Sequence, residues 1–389
     1  MEEGATNAVM TALKGDARFV GGSVRDTILK RPIGDIDIAT PLYPEEVTRR
    51  LEAAGLKAVP TGIAHGTITA VASGRPFEIT TLRRDVETFG RHATVAFSAD
   101  WEEDSRRRDF TMNALSMTLE GEVFDYHDGL RDLRAGKVRF VGDPALRIRE
   151  DVLRLLRFYR FHAWYGRGEA DPAARAACHA SAALLPTLSG ERLRMEMLKL
   201  LGARNPLPSL AMMAEDGVLA RLVPHARPLE MLARLIKIEM TADPLRRLGL
   251  LIEADAAAVA TKLKLSNDQR DRLIGIDAPL DPAADAAAQH RDIYRLGHDT
   301  YIDRVLVTAA ITGDVDKVKP LLVAAKRWKI PVFPLKGGDV TALGVPPGPD
   351  VGQHLKALET AWVMGDFKAH RDALLSDLQH RVDATLPKT

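Results

Sequence analysis

The chain has 389 residues, 54 Lys and Arg against 53 Asp and Glu, 46% hydrophobic residues and a single cysteine. That length suggests two to four domains with ordinary cores. One cysteine excludes a disulfide framework and a thiolate metal site, and no apolar run approaches the roughly 18 residues of a membrane helix. Cys178 reads as a small helix-packing residue, and Glu2 and Glu3 stand where an export leader would be basic. The expected setting is therefore reducing and cytoplasmic. A net charge of +1 argues against a general basic coat, yet residues 131–167 hold ten Lys and Arg and only four Asp and Glu. Such a stripe is expected where one face meets a polyanion.

In chain order, strand-type runs fall at 17–20, 35–39, 67–72, 77–82 and 122–126, each short and rich in β-branched or aromatic residues. A helix is expected over 44–54, opened by Pro44 and stopped by Gly55. The chain changes class near residue 140. From Pro144 the apolar residues Leu146, Ile148, Val152, Leu153, Leu156, Tyr159 and Phe161 give one long amphipathic pattern, and Ala-rich helical stretches follow through residue 310. The joints are at 202–208 and 312–314, and a Pro/Gly loop at 345–352 precedes a last helix beginning near Asp350. The fold class is α+β, a small mixed sheet with helices followed by an all-helical remainder.

Residues 19–40 read FVGGSVRDTILKRPIGDIDIAT, a strand, a Gly-Gly turn, a helix start and a second strand. Residues i and i+2 of a strand share a face, so Asp35 and Asp37 converge there. Hard oxygen ligands at that spacing suit Mg²⁺ held jointly with substrate phosphates. Gly21 and Gly22 let the backbone approach a phosphate, Ser23 begins a helix whose N-terminus favours negative charge, and Arg25 adds a charge-assisted bond. A D-x-D pair alone is weak evidence, because surface strands often carry two acidic residues. Glu78, between Phe77 and Ile79, is either a third metal-facing carboxylate or the solvent-facing residue of a half-buried strand. Residues 149–160, REDVLRLLRFYR, place Asp151, Arg154, Arg157 and Arg160 every three residues along one helical ridge. An Asp accepting from an exocyclic amine and an Arg donating to a ring nitrogen match the edges of cytosine and adenine. The competing reading is an intrahelical salt bridge on a solvated face.

In combination GGSVRD, DIDIAT, HGTITAV, RRDFTMNA and REDVLRLLR resemble, in this order, the class II tRNA nucleotidyltransferases, whose relatives include bacterial poly(A) polymerases. The resemblance covers about residues 19–200 and is weaker in the tail. It implies a polymerase-β-like head at 1–139, then a helical neck at 140–202, body at 203–312 and tail at 313–389. The expected activity is template-independent addition of CCA from CTP and ATP to the 3′ end of tRNA, with no membrane and no protein partner. The alternatives are an enzyme adding only the final A, a poly(A) polymerase, and a catalytically silent RNA-binding protein.

Residue by residue, the resemblance gives Asp35 and Asp37 the metal, and the strand pattern adds Glu78 as a candidate catalytic carboxylate. It assigns nucleotide binding to Gly21, Gly22, Ser23, Arg25, Arg108, Asp109 and Asn113, and base selection to Asp151 and Arg154 with Arg157 and Arg160. On spacing alone, 106–108 is equally an exposed charge run answering 102–104. The segment 83–101 resembles the family's flexible loop for the final A, although Thr88-Phe89 and Ala93 depart from its usual form. His65 and His92 read as loop residues, and His298-Asp299 lacks companion metal ligands. The segment 189–201, with Ser189 as an N-cap, resembles a bracing neck motif. In the tail Lys336, Gly337 and the PGP loop are either tRNA-phosphate contacts or a plain connection.

Overall fold

The structure is a computed structural model that describes residues 2–89, 92–278, 280–281 and 284–385. Its contacts divide the chain into two compact units. One comprises Met1–Ala226 with Lys262–Lys264, the other Arg227–Thr261 with Leu265–Thr389.

The first unit begins with α1 (Glu2–Ala12), β1 (Arg18–Val20), α2 (Gly22–Ile28), β2 (Asp37–Thr40), α3 (Pro44–Ala53), β3 (Lys57–Gly62), β4 (Thr67–Ala72) and β5 (Arg75–Thr81). Next come β6 (Arg83–Phe89), β7 (His92–Phe97), α4 (Trp101–Arg106), β8 (Ser116–Met117), β9 (Val123–Phe124) and α5 (Gly129–Ala135). Seven strands form one sheet in the order β3-β4-β5-β2-β1-β8-β9, while β6 and β7 pair as a separate hairpin. Only β2 and β5 run parallel, in register Asp37 to Glu78 and Ile38 to Ile79. Alternation sends Ile38, Ile68 and Ile79 into a core with Val9 of α1, Leu13 of the turn after it, and Val47 and Leu51 of α3. The same alternation turns Asp37 and Glu78 to the opposite face.

Most expected strands appear within two residues of their bounds, but four elements are additional. The strand β3 carries Pro60 and Gly62, which an edge position tolerates. The charged β6 pairs with β7 where a loop is expected, and β8 is only two residues long.

The helix expected to run unbroken from Pro144 is two. α6 (Pro144–Glu150) stops at Asp151, whose backbone is extended at φ −150° and ψ 107°, and α7 (Leu153–Tyr165) starts afresh. Asp151 Oδ1 accepts from the Leu153 amide at 3.1 Å, so this side chain caps α7. After α8 (Pro172–Ser181) come α9 (Gly190–Leu201), α10 (Leu207–Glu215) and α11 (Leu219–Leu222). Ser189 precedes α9 without a side-chain capping bond. Phe110 packs on Phe140 and Phe161 at ring distances of 4.8 and 5.0 Å, tying the sheet region to α7. Cys178 is fully buried in α8 and burial pushes its thiol up, as a packing role requires.

Among the described residues the second unit is helical throughout. It contains α12 (Leu229–Ile238), α13 (Pro244–Leu251), α14 (Ala256–Lys262, which ends in the first unit), α15 (Asn267–Asp277), α16 (Ala286–Thr312), α17 (Val315–Arg327), α18 (Gly337–Thr341), α19 (Pro349–Met364) and α20 (Arg371–Thr385). Two helices, α19 and α20, stand where one last helix is expected. The Lys336 amide donates to Asp339 at 2.7 Å, and Asp339 also pairs with Arg371, so this tail turn is internally braced. Asp303 is buried between Arg246 and Arg272, each at 2.7 Å. No described helix is long and apolar enough to cross a membrane.

Candidate active site

The turn between β1 and α2 is made at Gly21, with φ 69° and ψ −128°, a backbone conformation that favours glycine. A Cβ there would stand 3.3 Å from Nη1 of Arg108 and 4.0 Å from Oδ2 of Asp37. The glycine thus leaves backbone bare where a cation and a carboxylate flank it. Ser23 does not reach outward. Its hydroxyl donates to the Val20 carbonyl at 2.9 Å and fastens the turn.

Asp37 opens β2, whereas Asp35 lies in the preceding bend and is exposed. The pairing of the two on one strand face is therefore corrected: the pleat places Asp37 and a bend places Asp35. Partial burial raises the Asp37 carboxyl, the charges of Glu78 and Asp35 raise it further, and Arg108 opposes them. Such a set of like-charged hard oxygens fits a divalent cation, whose charge would relieve the repulsion. Among the described residues no three His, Cys, Asp or Glu side chains form a group able to hold a metal ion. A metal here would therefore take further ligands from water or substrate.

Arg106 pairs with Glu102 on the surface at 2.5 Å, as a solvated charge run would. Arg107 and Arg108 instead share Asp104, which is only 3% exposed, at 2.8 and 3.2 Å. Asp109 accepts from Asn113 Nδ2 at 3.0 Å and Arg157 Nε at 2.7 Å. Burial alone would raise this carboxyl, but Arg157, Asn113 and the Phe110 amide hold it below the usual carboxylate range. Asn113 Oδ1 in turn accepts from Arg25 Nη1 at 2.7 Å. Arg25 also grips Asp26 at 2.7 and 3.0 Å and lies 4.2 Å over the Tyr165 ring. A continuous chain, Arg25 to Asn113 to Asp109 to Arg157, joins α2 to α7.

On α7 Arg154 donates to Glu150 at 2.5 Å and to the Arg147 carbonyl at 3.0 Å. Arg192 of α9 meets both oxygens of Asp151 from Nη2, at 3.0 and 2.8 Å. Arg160 turns away to Glu196, at 2.5 Å, and Glu196 has a side chain 1% exposed.

A cavity of about 690 Å³ collects these groups. Gly21, Gly22, Arg25, Asp37, Arg108, Asp109 and Asn113 line it from the sheet region, and Asp151, Arg154 and Arg157 from the helical region. Asp35, Ser23, Glu78 and Arg160 stand outside the lining. Leu153 and Phe161, expected only as members of the apolar pattern, also line it, as do Arg192 and Lys199, which the sequence did not single out. The signal for Arg192 and Lys199 is their seven-residue spacing, which puts both on one face of α9. The carbonyl of His65 takes a bond from Arg83 at 2.8 Å. The His92 side chain lies outside the described residues.

Residues 17–139 match the family described as "Poly A polymerase head domain", and 169–229 the one described as "Probable RNA and SrmB- binding site of polymerase A". The human protein named CCA tRNA nucleotidyltransferase 1, mitochondrial, is 33% identical over 388 residues, covering 93% of this chain and 86% of that protein. The CCA-adding enzyme of Limosilactobacillus fermentum is 34% identical over 374 residues, covering 92% of each. The crystal structure of the Bacillus stearothermophilus CCA-adding enzyme in complex with CTP aligns over 98% of both chains, with a TM-score of 0.77 and 31% identity.

Proposed function

The chain belongs to the class II tRNA nucleotidyltransferase and poly(A) polymerase family, and on that premise we propose that it adds C, C and A to the 3′ end of tRNA, from CTP and ATP and without a template. The observation that carries this reading is the cavity that sets the turn at Gly21, Asp37 and Arg108 against Asp151, Arg154 and Arg157. In its relatives of known name the same family carries that activity.

The 3′-hydroxyl of tRNA attacks the α-phosphate and pyrophosphate leaves. Asp35 and Asp37 would hold Mg²⁺, which supplies Lewis-acid polarisation of the phosphate and the attacking hydroxyl when bound. Gly21 and Gly22 let phosphate oxygens approach the backbone, and Arg108, fixed by Asp104, meets their charge. Asp109, held by Arg157 and Asn113, keeps acceptor capacity for sugar hydroxyls. Asp151 accepts from the exocyclic amine of cytosine or adenine while Arg154 donates to the adjacent ring nitrogen. Uracil and guanine present the reverse order, which is how two side chains replace a template base. Residues 1–139 act as the catalytic head, 140–202 as the selecting neck, and 203–312 and 313–389 as the body and the tRNA-binding tail. A single, buried cysteine supports a reducing, cytoplasmic setting.

The test is incorporation of each labelled nucleotide, with Mg²⁺, into tRNA lacking CCA, tRNA ending in CC, and an unstructured RNA. C followed by one A on tRNA alone is the expected result. A alone on CC-ended tRNA would make it an A-adding enzyme, and long A tails on any RNA a poly(A) polymerase.

A further inference from the structure

We propose that Lys199 binds the outer phosphates of the incoming nucleoside triphosphate and the pyrophosphate that leaves, an inference that rests on the nucleotidyl-transfer reading above. The helix α9 follows α7 in the same sense along the cavity. Arg192 meets Asp151 at 2.8 Å, Glu196 meets Arg160 at 2.5 Å, and the Lys199 carbonyl accepts from the Trp164 indole at 2.8 Å. Position along α9 therefore follows position along α7, from the base-reading end onward. Lys199 lies seven residues, or about 10 Å, beyond Arg192. That is the end of α7 at which Phe161 lines the cavity and Arg25 lies over the rings of Tyr165 and Phe161, at 4.2 and 5.3 Å.

Charge separates Lys199 from the other cations of the cavity. Arg25 is paired with Asp26, Arg108 with Asp104, Arg154 with Glu150, Arg157 with Asp109 and Arg192 with Asp151. Among the described residues no hydrogen bond or ion pair engages the Lys199 ammonium, and the residue is exposed on the cavity wall. A triphosphate is most highly charged at its far end. An ammonium, with three donors and no acceptor, is a compact counter-charge for it. In the transfer the 3′-oxygen bonds to the α-phosphorus as the α-phosphorus to β-bridging oxygen bond breaks. The hydroxyl proton passes to solvent, and the charge that Lys199 meets departs as pyrophosphate.

The test compares Lys199→Met and Lys199→Arg with the unaltered full chain. Loss of the ammonium is expected to raise KM for CTP and ATP alike by about tenfold, the worth of one charge-assisted bond. Inhibition by pyrophosphate should weaken by a similar factor, while tRNA affinity and the choice of C and A stay unchanged and Lys199→Arg recovers most of the loss. Binding of inorganic tripolyphosphate, measured without RNA, should fall in Lys199→Met in parallel. Unchanged tripolyphosphate binding and unchanged nucleotide KM would overturn the assignment, as would a loss confined to tRNA affinity, which would make Lys199 an RNA contact. An unaltered chain that adds neither C nor A overturns the functional reading instead, and the tripolyphosphate measurement still decides for Lys199.

Discussion

Asp37 stands in an unfavourable setting for its charge, since burial, Glu78 and Asp35 all raise its carboxyl and Arg108 opposes them. Asp37→Ala should lower kcat by about 10³-fold or more, the scale of several kcal/mol of charge stabilisation. Its affinity for tRNA in filter binding should stay within about twofold. Incorporation persisting at the unaltered rate would remove Asp37 from the chemistry. His162 shows the same physics away from the site. Its Nδ1 lies 3.1 Å from the Ser209 hydroxyl, and burial holds the imidazole below its ordinary value of 6.5. The folded protein keeps the ring neutral while the unfolded chain takes up a proton as pH falls through 6.5. Stability contributed by the neutral ring is therefore complete above that value and declines below it until the folded value is reached. Urea melts from pH 7.5 to 5.5 should show this decline, and in His162→Gln the dependence should be shallower.

At the scale of elements, the break between α6 and α7 matters most. Asp151 caps α7 through the Leu153 amide and faces Arg192, so one residue starts the helix and edges the cavity. Asp151→Ala should cost about 1 kcal/mol through the lost cap and admit UTP and GTP, measured as their incorporation relative to CTP and ATP. Continued exclusion of both would show that base choice lies elsewhere. The sequence marked this segment out but did not give its shape. Leu146, Ile148, Leu153 and Leu156 keep an amphipathic pattern across the break, and periodicity does not report the extended backbone of a single residue. Spacing also put Arg160 on the ridge with Arg157, yet Arg160 is taken by Glu196, 36 residues away. Arg192 stayed unread for the same reason, because its partner lies 41 residues distant. The residues that were legible, among them Gly21, Asp37, Arg108 and Asp109, stand in short motifs that read as units, although Asp109 takes its partner Arg157 from 48 residues away. The edge strand β3 was hidden by Pro60, and β6 by its charged composition.

Across the whole molecule, the basic stripe of residues 131–167 is mostly spent internally. Lys137 pairs with Asp171, Arg139 with Asp132, Arg147 and Arg154 with Glu150, Arg157 with Asp109 and Arg160 with Glu196. The stripe organises the site and is not a uniform coat for a polyanion. Construction of the first unit also draws on distant chain. A Cβ at Gly190 would stand 2.3 Å from the Lys262 carbonyl and 2.6 Å from the Lys264 side chain. Gly190→Ala should destabilise the unit by about 1–3 kcal/mol in thermal melts. Since α9 carries both Arg192 and Lys199, nucleotide KM should rise with it. A variant with unaltered melting and KM would show that the 262–264 segment yields freely.

That same segment sets an order of events during synthesis. When Ala226 has just been joined to the growing chain, the helix bearing Arg192 and Lys199 already exists as sequence, but the residues that close against its first turn have not been made. At about 5–20 residues per second the chain waits a few seconds for Lys262–Lys264. Through that interval the first unit is an unfinished object, completed only when three residues that lie beyond part of the second unit have been translated.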